Sequence, residues 1–233
     1  MAGPASATSP LPGLLLLLSA TTGLIDAVSV LGLGKVFTAN MTGNIVFLGF
    51  AAARTPGFAA APYLAALASF MLGATIAGRT GRRFAQRPLR HWLMLAALFE
   101  TALFWAAAAS ATGFDVKSLS PAPALYFIIA LTAMAMGFRN ATVRQLQVPD
   151  LSTTVLTLTI TGLAADSGLA GGASPNLTRR AGAVLAIFAG AALGALLVRA
   201  GGLTLSLALT GLIVLTGTCA AALHPALAPV RPK

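Results

Sequence analysis

The chain has 233 residues, 57% hydrophobic and only 9% charged, with a formal net charge of +10; a soluble domain carries about 25% charged residues. Apolar runs near twenty residues recur along most of the length, long, rich in Leu and Ala and without alternation, so the sequence reads as an all-α polytopic membrane protein and not as a β-barrel. The excess of arginine does not imply a nucleic-acid partner, because it gathers in one inter-helix segment, and the single Cys219 excludes an internal disulfide or a cysteine metal site.

In chain order, residues 1–12 read as a disordered tail. The stretch lacks the basic start of a signal peptide and runs on into a first apolar helix, 13–34. Five more segments have spanning length: 58–78, 91–111, 122–142, 180–199 and 203–223, since about twenty residues at 1.5 Å each cross a hydrocarbon core of about 30 Å. Two further segments, 40–53 and 152–166, are apolar but short and rich in Thr, Gly or Asn. They reach only about 21–23 Å and read as polar half-helices. The organisation is thus a first membrane repeat over 13–111, a connecting loop over 112–121, a second repeat over 122–223 and a tail over 224–233.

The halves resemble each other. "GLIDAVSVLGLGKVFTANMTGNIVFLGFAA" from Gly23 aligns with "GFRNATVRQLQVPDLSTTVLTLTITGLAAD" from Gly137, placing Asp26 opposite Asn140, Thr38 opposite Thr153 and Thr42 opposite Thr157. "FMLGATIAG" aligns with "IFAGAALGA", Gly73 opposite Gly190. Charge placement chooses the topology. With "RTGRRFAQRPLR" (79–90) cytoplasmic under the positive-inside rule, six spans and two non-crossing half-helices put both termini inside. Of the fifteen Lys and Arg residues, only Lys35, Arg54, Lys117 and Arg199 then lie outside. Letting the short segments cross spoils this bias. The sequence therefore predicts an inverted 3+3 repeat, an arrangement found in many secondary transporters, whose sites sit where helices break near the midplane. The basic loop is also compatible with anionic lipid head groups.

The polar residues of the short segments are the candidate substrate contacts: Thr38, Asn40, Thr42, Gly43 and Asn44 in the first half, Asn140, Thr153, Thr154, Thr157 and Thr159 in the second. The competing reading is that Thr and Asn only hydrogen-bond between helices while small residues permit close packing. Carboxyls within the membrane are expensive, about 2.5–3.5 kcal/mol near the bilayer centre, so Asp26 and Glu100 are candidate coupling groups; the alternative is a neutral carboxyl, or one paired with Arg139 or Arg144. Arg139 either contacts an anion or marks the cytoplasmic end of the fourth span. Asp150 reads as a helix N-cap. Two isolated histidines, His91 and His224, make no metal site, and no catalytic set or nucleotide fingerprint is present, so neither an enzyme nor a cofactor is expected. The expected partners are the lipid bilayer, a small solute and a second copy of the chain through its small-residue faces.

The stretch "GLIDAVSVLGLGKVFTANMTGNIVFLG" resembles the signature of the YoaK-type family of small bacterial integral membrane proteins, a domain of unknown function. The resemblance rests on Gly23, Asp26, Ala27, Phe37, Asn40, Met41, Thr42, Gly43 and Asn44, and in the second half on Gly137, Asn140, Thr153, Thr154, Thr157, Thr159 and Gly162. It implies an inner-membrane location and supplies no substrate. The sequence alone therefore points to a secondary transporter for a small, anionic solute, with a non-transporting assembly or sensor protein as the alternative.

Overall fold

A computed structural model describes residues 9–146, 156–174 and 176–227. Among these the chain is helical, without strands: α1 (Leu11–Gly32), α2 (Met41–Ala52), α3 (Ala60–Phe84), α4 (Leu89–Ser110), α5 (Ala122–Leu146), α6 (Leu156–Ala165) and α7 (Leu177–Ala222). Five of these helices, α1, α3, α4, α5 and α7, are long and apolar enough to cross a membrane; α2 and α6 are not. Large apolar side chains such as Leu64, Met71, Leu98, Phe127, Leu185 and Phe188 stand exposed on the outer surface, as expected of a body solvated by lipid.

α7 would measure about 69 Å if straight, but it is broken at Gly202, where φ is 67° and ψ is −163°. That backbone region is essentially open to glycine alone. Before the break, Gly182, Gly190 and Gly194 approach Leu16, Ala20 and Leu24 of α1 in rising order; after it, Leu203 lies against Gly32 and Gly217 against Leu17. The chain therefore doubles back at Gly202, and the two legs correspond to the two segments read from the sequence as 180–199 and 203–223.

Legs that follow one another along the chain alternate in direction. α3 and α4 are joined by residues 85–88; Leu93 of α4 clusters with Val143 of α5, and Thr101 and Trp105 of α4 bond back to the Gly211 and Ala208 carbonyls of the last leg at 3.1 and 3.2 Å. One apolar cluster joins Leu14, Leu15, Leu18, Leu93, Val143, Ala183 and Ala221. It gathers the start of α1, the α3–α4 corner, the end of α5 and both the start and the end of α7 at one end of the bundle. Leu33, Val36, Tyr63, Ala111, Leu125 and Leu203 fall in a cluster that reaches the other end, with Phe58 and Leu119 packed on it. Arg79, Arg82, Arg83, Arg87, Arg90, Arg144, Arg179 and Arg180 thus share the first end, and Lys35, Arg54, Lys117 and Arg199 the second.

Two helix crossings are so close that only glycine fits. A Cβ on Gly23 would meet the Ile187 backbone and one on Gly190 the Ala20 backbone; a Cβ on Gly137 would meet the Phe70 backbone and one on Gly73 the Met134 backbone. Under the alignment of the halves these are the same four positions taken twice, each crossing joining a helix of one half to a helix of the other. Close approach of this kind is how small residues associate helices in lipid.

Two expectations change. The basic segment 79–90 is not all loop: α3 runs to Phe84 and only 85–88 connect, because Arg is a good helix former and its charge complements the C-terminal end of a helix dipole. α5 likewise continues to Leu146 instead of ending near 142.

Candidate functional site

The polar stretch after α1 re-enters the bundle. α1 ends with the Leu33 N–H donating to the Ser29 carbonyl at 2.9 Å, and Gly34 and Lys35 take positive φ (76° and 65°) to reverse the chain. Residues 36–39 then run back along α1: the Ala39 N–H donates to Asp26 Oδ1 at 3.3 Å, and Asp26 lies six residues, about 9 Å, before the end of α1. Val36, Thr38 and Ala39 are buried. α2 starts at this depth and leads outward again, so its N-terminal end points into the protein.

An extended segment at this depth has backbone groups that lipid cannot satisfy. Asn44, fully buried, answers for two of them: it accepts from the Phe37 N–H at 2.9 Å and donates to the Phe37 carbonyl at 2.6 Å. Gly43 lets the Phe37 ring lie flat on α2, where an added Cβ would strike it. Phe37, Phe47, Phe58 and Tyr63 then close the entry, with Phe47 5.3 Å from Phe58 and 5.7 Å from Tyr63 between ring centres. Asp26 and Asn44 thus hold the backbone in place. The Thr38 hydroxyl is buried with no partner among the described residues, while Asn40 and Thr42 face outward.

A second polar centre lies inside the bundle. Arg139 of α5 is fully buried and donates from Nε to Glu100 Oε2 of α4 at 2.7 Å, and from Nη1 to the Thr21 hydroxyl of α1 at 2.9 Å. Its guanidinium lies 5.8 Å from the Phe104 ring centre, and its Nη2 has no partner among the described residues. Arg139 is therefore not a boundary residue, and the arginine pairs with Glu100, not with Asp26. Thr21 and Phe104 belong to this centre without having been anticipated; one Thr among several in α1, and one Phe among several in α4, carry no distinguishing pattern.

In the second half, Asn140 donates to the Met136 carbonyl at 2.8 Å, Thr159 is buried and Thr157 exposed; Thr153, Thr154 and Asp150 lie outside the described residues. α2 rests on α3 and α6 on α7. Asp166 and Arg180, 2.5 Å apart, tie the end of α6 to the start of α7. Three cavities, of about 550, 450 and 600 Å³, surround the α3–α4 corner, and none of the three reaches Asn40 or Thr157. Among the described residues, no group of three or more His, Cys, Asp or Glu could hold a metal ion.

Comparison with known proteins agrees with a membrane protein. The family described as "Protein of unknown function (DUF1275)" matches residues 14–220. The "UPF0700 transmembrane protein YoaK" of Bacillus subtilis (strain 168) is 34% identical over 157 residues, 66% of this chain and 65% of the relative, so the match spans about two thirds of each. No solved structure matches. By the extent of the match, the chain belongs to the DUF1275 family of transmembrane proteins.

Proposed function

We propose that the chain is a small secondary transporter of the inner membrane for a small anionic solute, built as two inverted halves of three spans, with both termini cytoplasmic. The observation that carries this reading is Arg139, a buried guanidinium within the bundle whose Nη2 has no partner among the described residues while Glu100 and Thr21 hold its other nitrogens. A charge in that position is expensive and marks a functional group by default. A carboxylate or oxyanion on Nη2 would compete with Glu100 for the guanidinium, and a proton on Glu100 would weaken its hold, which links anion movement to proton movement.

The architecture supports the reading. The matched crossings at Gly23/Gly190 and Gly137/Gly73 join the halves as an inverted repeat would, the legs alternate in direction, and α2 is a half-helix entering from one end. The segregation of arginines to the α3–α4 end fits a cytoplasmic position.

The test has two arms. In a Cys219→Ser background, Thr55→Cys and Leu169→Cys, both at exposed positions, should differ in labelling of intact cells by an impermeant thiol reagent, with only Thr55→Cys reacting; equal labelling removes the inverted repeat. In proteoliposomes, a panel of small carboxylates and inorganic oxyanions should include one whose addition collapses a pH gradient, an effect absent in Arg139→Gln. No flux across the panel favours the second reading, a non-transporting assembly or sensor protein, to which the commitment of Asn44 to the backbone and the position of the three cavities already lend weight.

A further inference from the structure

The α3–α4 corner carries a feature that the transport reading does not use. A hollow of about 550 Å³ lies between the last turns of α3, the connection 85–88 and the first turn of α4, with Gln145 and Leu146 of α5 closing it. Pockets of this size take small ligands or head groups. Its wall combines Arg82 and Arg87 with the aromatic Phe84 and Trp92. Trp92 is 5% exposed, and its indole N–H has no acceptor. A buried indole N–H ordinarily finds one, and among the described residues this donor has none.

The two arginines are also short of partners of opposite charge. Of the acidic residues described, Asp26 holds the Ala39 amide, Glu100 holds Arg139, Asp166 holds Arg180 and Asp115 caps its own loop at the far end. Arg87 lies over the Phe84 ring at 5.2 Å, which orients the guanidinium without neutralising it. Arg82 lines a second hollow as well, of about 600 Å³, that follows the outer face of α3 past Gly78 and Thr75 to Met71. Met71 is 61% exposed on that face. A cationic cup at the basic end of the bundle therefore opens onto an apolar groove along a helix that faces lipid.

Charge bias alone explains why arginines gather at one end, but it requires neither a concave cup, nor a buried indole donor in its wall residue Trp92 without a partner among the described residues, nor a groove leading from it toward the membrane. We propose that the corner is a binding site for the phosphodiester head group of an anionic phospholipid, with Arg82 and Arg87 contacting the phosphate, the Trp92 N–H donating to a head-group oxygen and an acyl chain lying along α3. Guanidinium matches phosphate oxygens in pairs, and basic pockets between membrane helices are suited to such head groups. The site is independent of the transport reading.

The test uses the full chain in detergent micelles, with lipid retained by the intact protein read by native mass spectrometry and the unfolding midpoint read in parallel. Phosphatidylglycerol should be retained at least about tenfold more tightly than phosphatidylcholine. The pair Arg82→Gln with Arg87→Gln should lose about tenfold or more, the scale of one charge-assisted hydrogen bond, while Arg199→Gln at the other end keeps the parent affinity. Arg82→Lys, which keeps charge but not the paired geometry, and Trp92→Phe should each fall between. Retention blind to head-group charge, or unchanged in the double variant at parent helicity, overturns the proposal. Inorganic phosphate that raises the midpoint as much as the lipid, and displaces it, also overturns it by making the occupant a soluble anion.

Discussion

The Glu100–Arg139 pair makes the sharpest energetic prediction. Both side chains are out of contact with the surroundings, at 4% and 0% exposure, and meet at 2.7 Å. Two unit charges about 4 Å apart attract by about 4 kcal/mol at an effective dielectric of 20, and removing one partner of a buried pair typically costs about 3–5 kcal/mol because the other charge is stranded. The unfolded state within a membrane also finds partners, which trims such values. Glu100→Gln should therefore lose about 3 kcal/mol, roughly a hundredfold in the folding equilibrium, and Arg139→Gln a comparable amount. The joint replacement Glu100→Met with Arg139→Met strands no charge and should lose less than either single change. Reversible unfolding in mixed micelles, followed by circular dichroism, measures all three. Single variants within about 0.5 kcal/mol of the parent, or a double variant that loses more than either, would refute the reasoning.

Asn44→Ala should release the re-entrant segment, since it orphans both the N–H and the carbonyl of Phe37; at about 1–3 kcal/mol per buried orphan, a thiol at position 38 should become reactive, and unchanged protection there counts against the role. Gly23→Leu and Gly137→Leu should destabilise to a similar extent, more than about 2 kcal/mol each by overpacking, because their crossings are equivalent, while Gly49→Leu, with nothing within 4 Å of its added Cβ, should be neutral; thermal midpoints of the three decide it. At the far end, the Ser118 hydroxyl, with the Lys117 and Ser118 amides, holds the Asp115 carboxyl below its ordinary pKa of 3.8. A depressed folded pKa supplies stability that is complete above the unfolded value and fades as pH falls through the folded one. Amide exchange at Lys117 and Ser118 should therefore show constant protection, corrected for intrinsic rates, from pH 8 to 5 and weaken only below about 4; loosening at pH 6 contradicts this.

The elements that build the bundle were legible because length and hydropathy decide them. The short apolar segments 40–53 and 152–166 are met, among the described residues, by the short helices α2 and α6, and the spacing of Gly23, Gly73, Gly137 and Gly190 marked positions that turned out to be the closest helix approaches. The reach of α3 to Phe84 was not legible, since a run of arginines reads as a boundary whether or not the backbone stays helical. Nor was the work done by each polar residue. Asn44 and Asp26 look like ligand groups in sequence, yet whether an Asn bonds a solute or Phe37 depends on the chain doubling back at Gly34 and Lys35. The partner of Arg139 was undecidable for a similar reason: Glu100 and Asp26 are both carboxyls in apolar helices, and only the packing of α4 against α5 selects the first.

The placement of Asp26 orders the roles of the remaining groups. A helix N-terminus pointing inward ordinarily draws an anion, and α2 presents one, with the Asp26 carboxyl just before it on the Ala39 amide. Arg139 Nη2 and the Thr38 hydroxyl remain, among the described residues, as buried groups of this region without partners. Asp26→Asn separates the two contributions of this side chain, since its amide oxygen still accepts from Ala39 while the charge is lost. It should keep the fold within about 1 kcal/mol, whereas Asp26→Leu, which orphans the amide, should lose about 2 kcal/mol. In proteoliposomes, Asp26→Asn should carry the anion with a weaker response to a pH gradient than the parent, the remainder running through Glu100. Equal stability of the two variants would show that the Ala39 bond holds nothing, and intact pH coupling in Asp26→Asn would move the proton-carrying role to Glu100 alone.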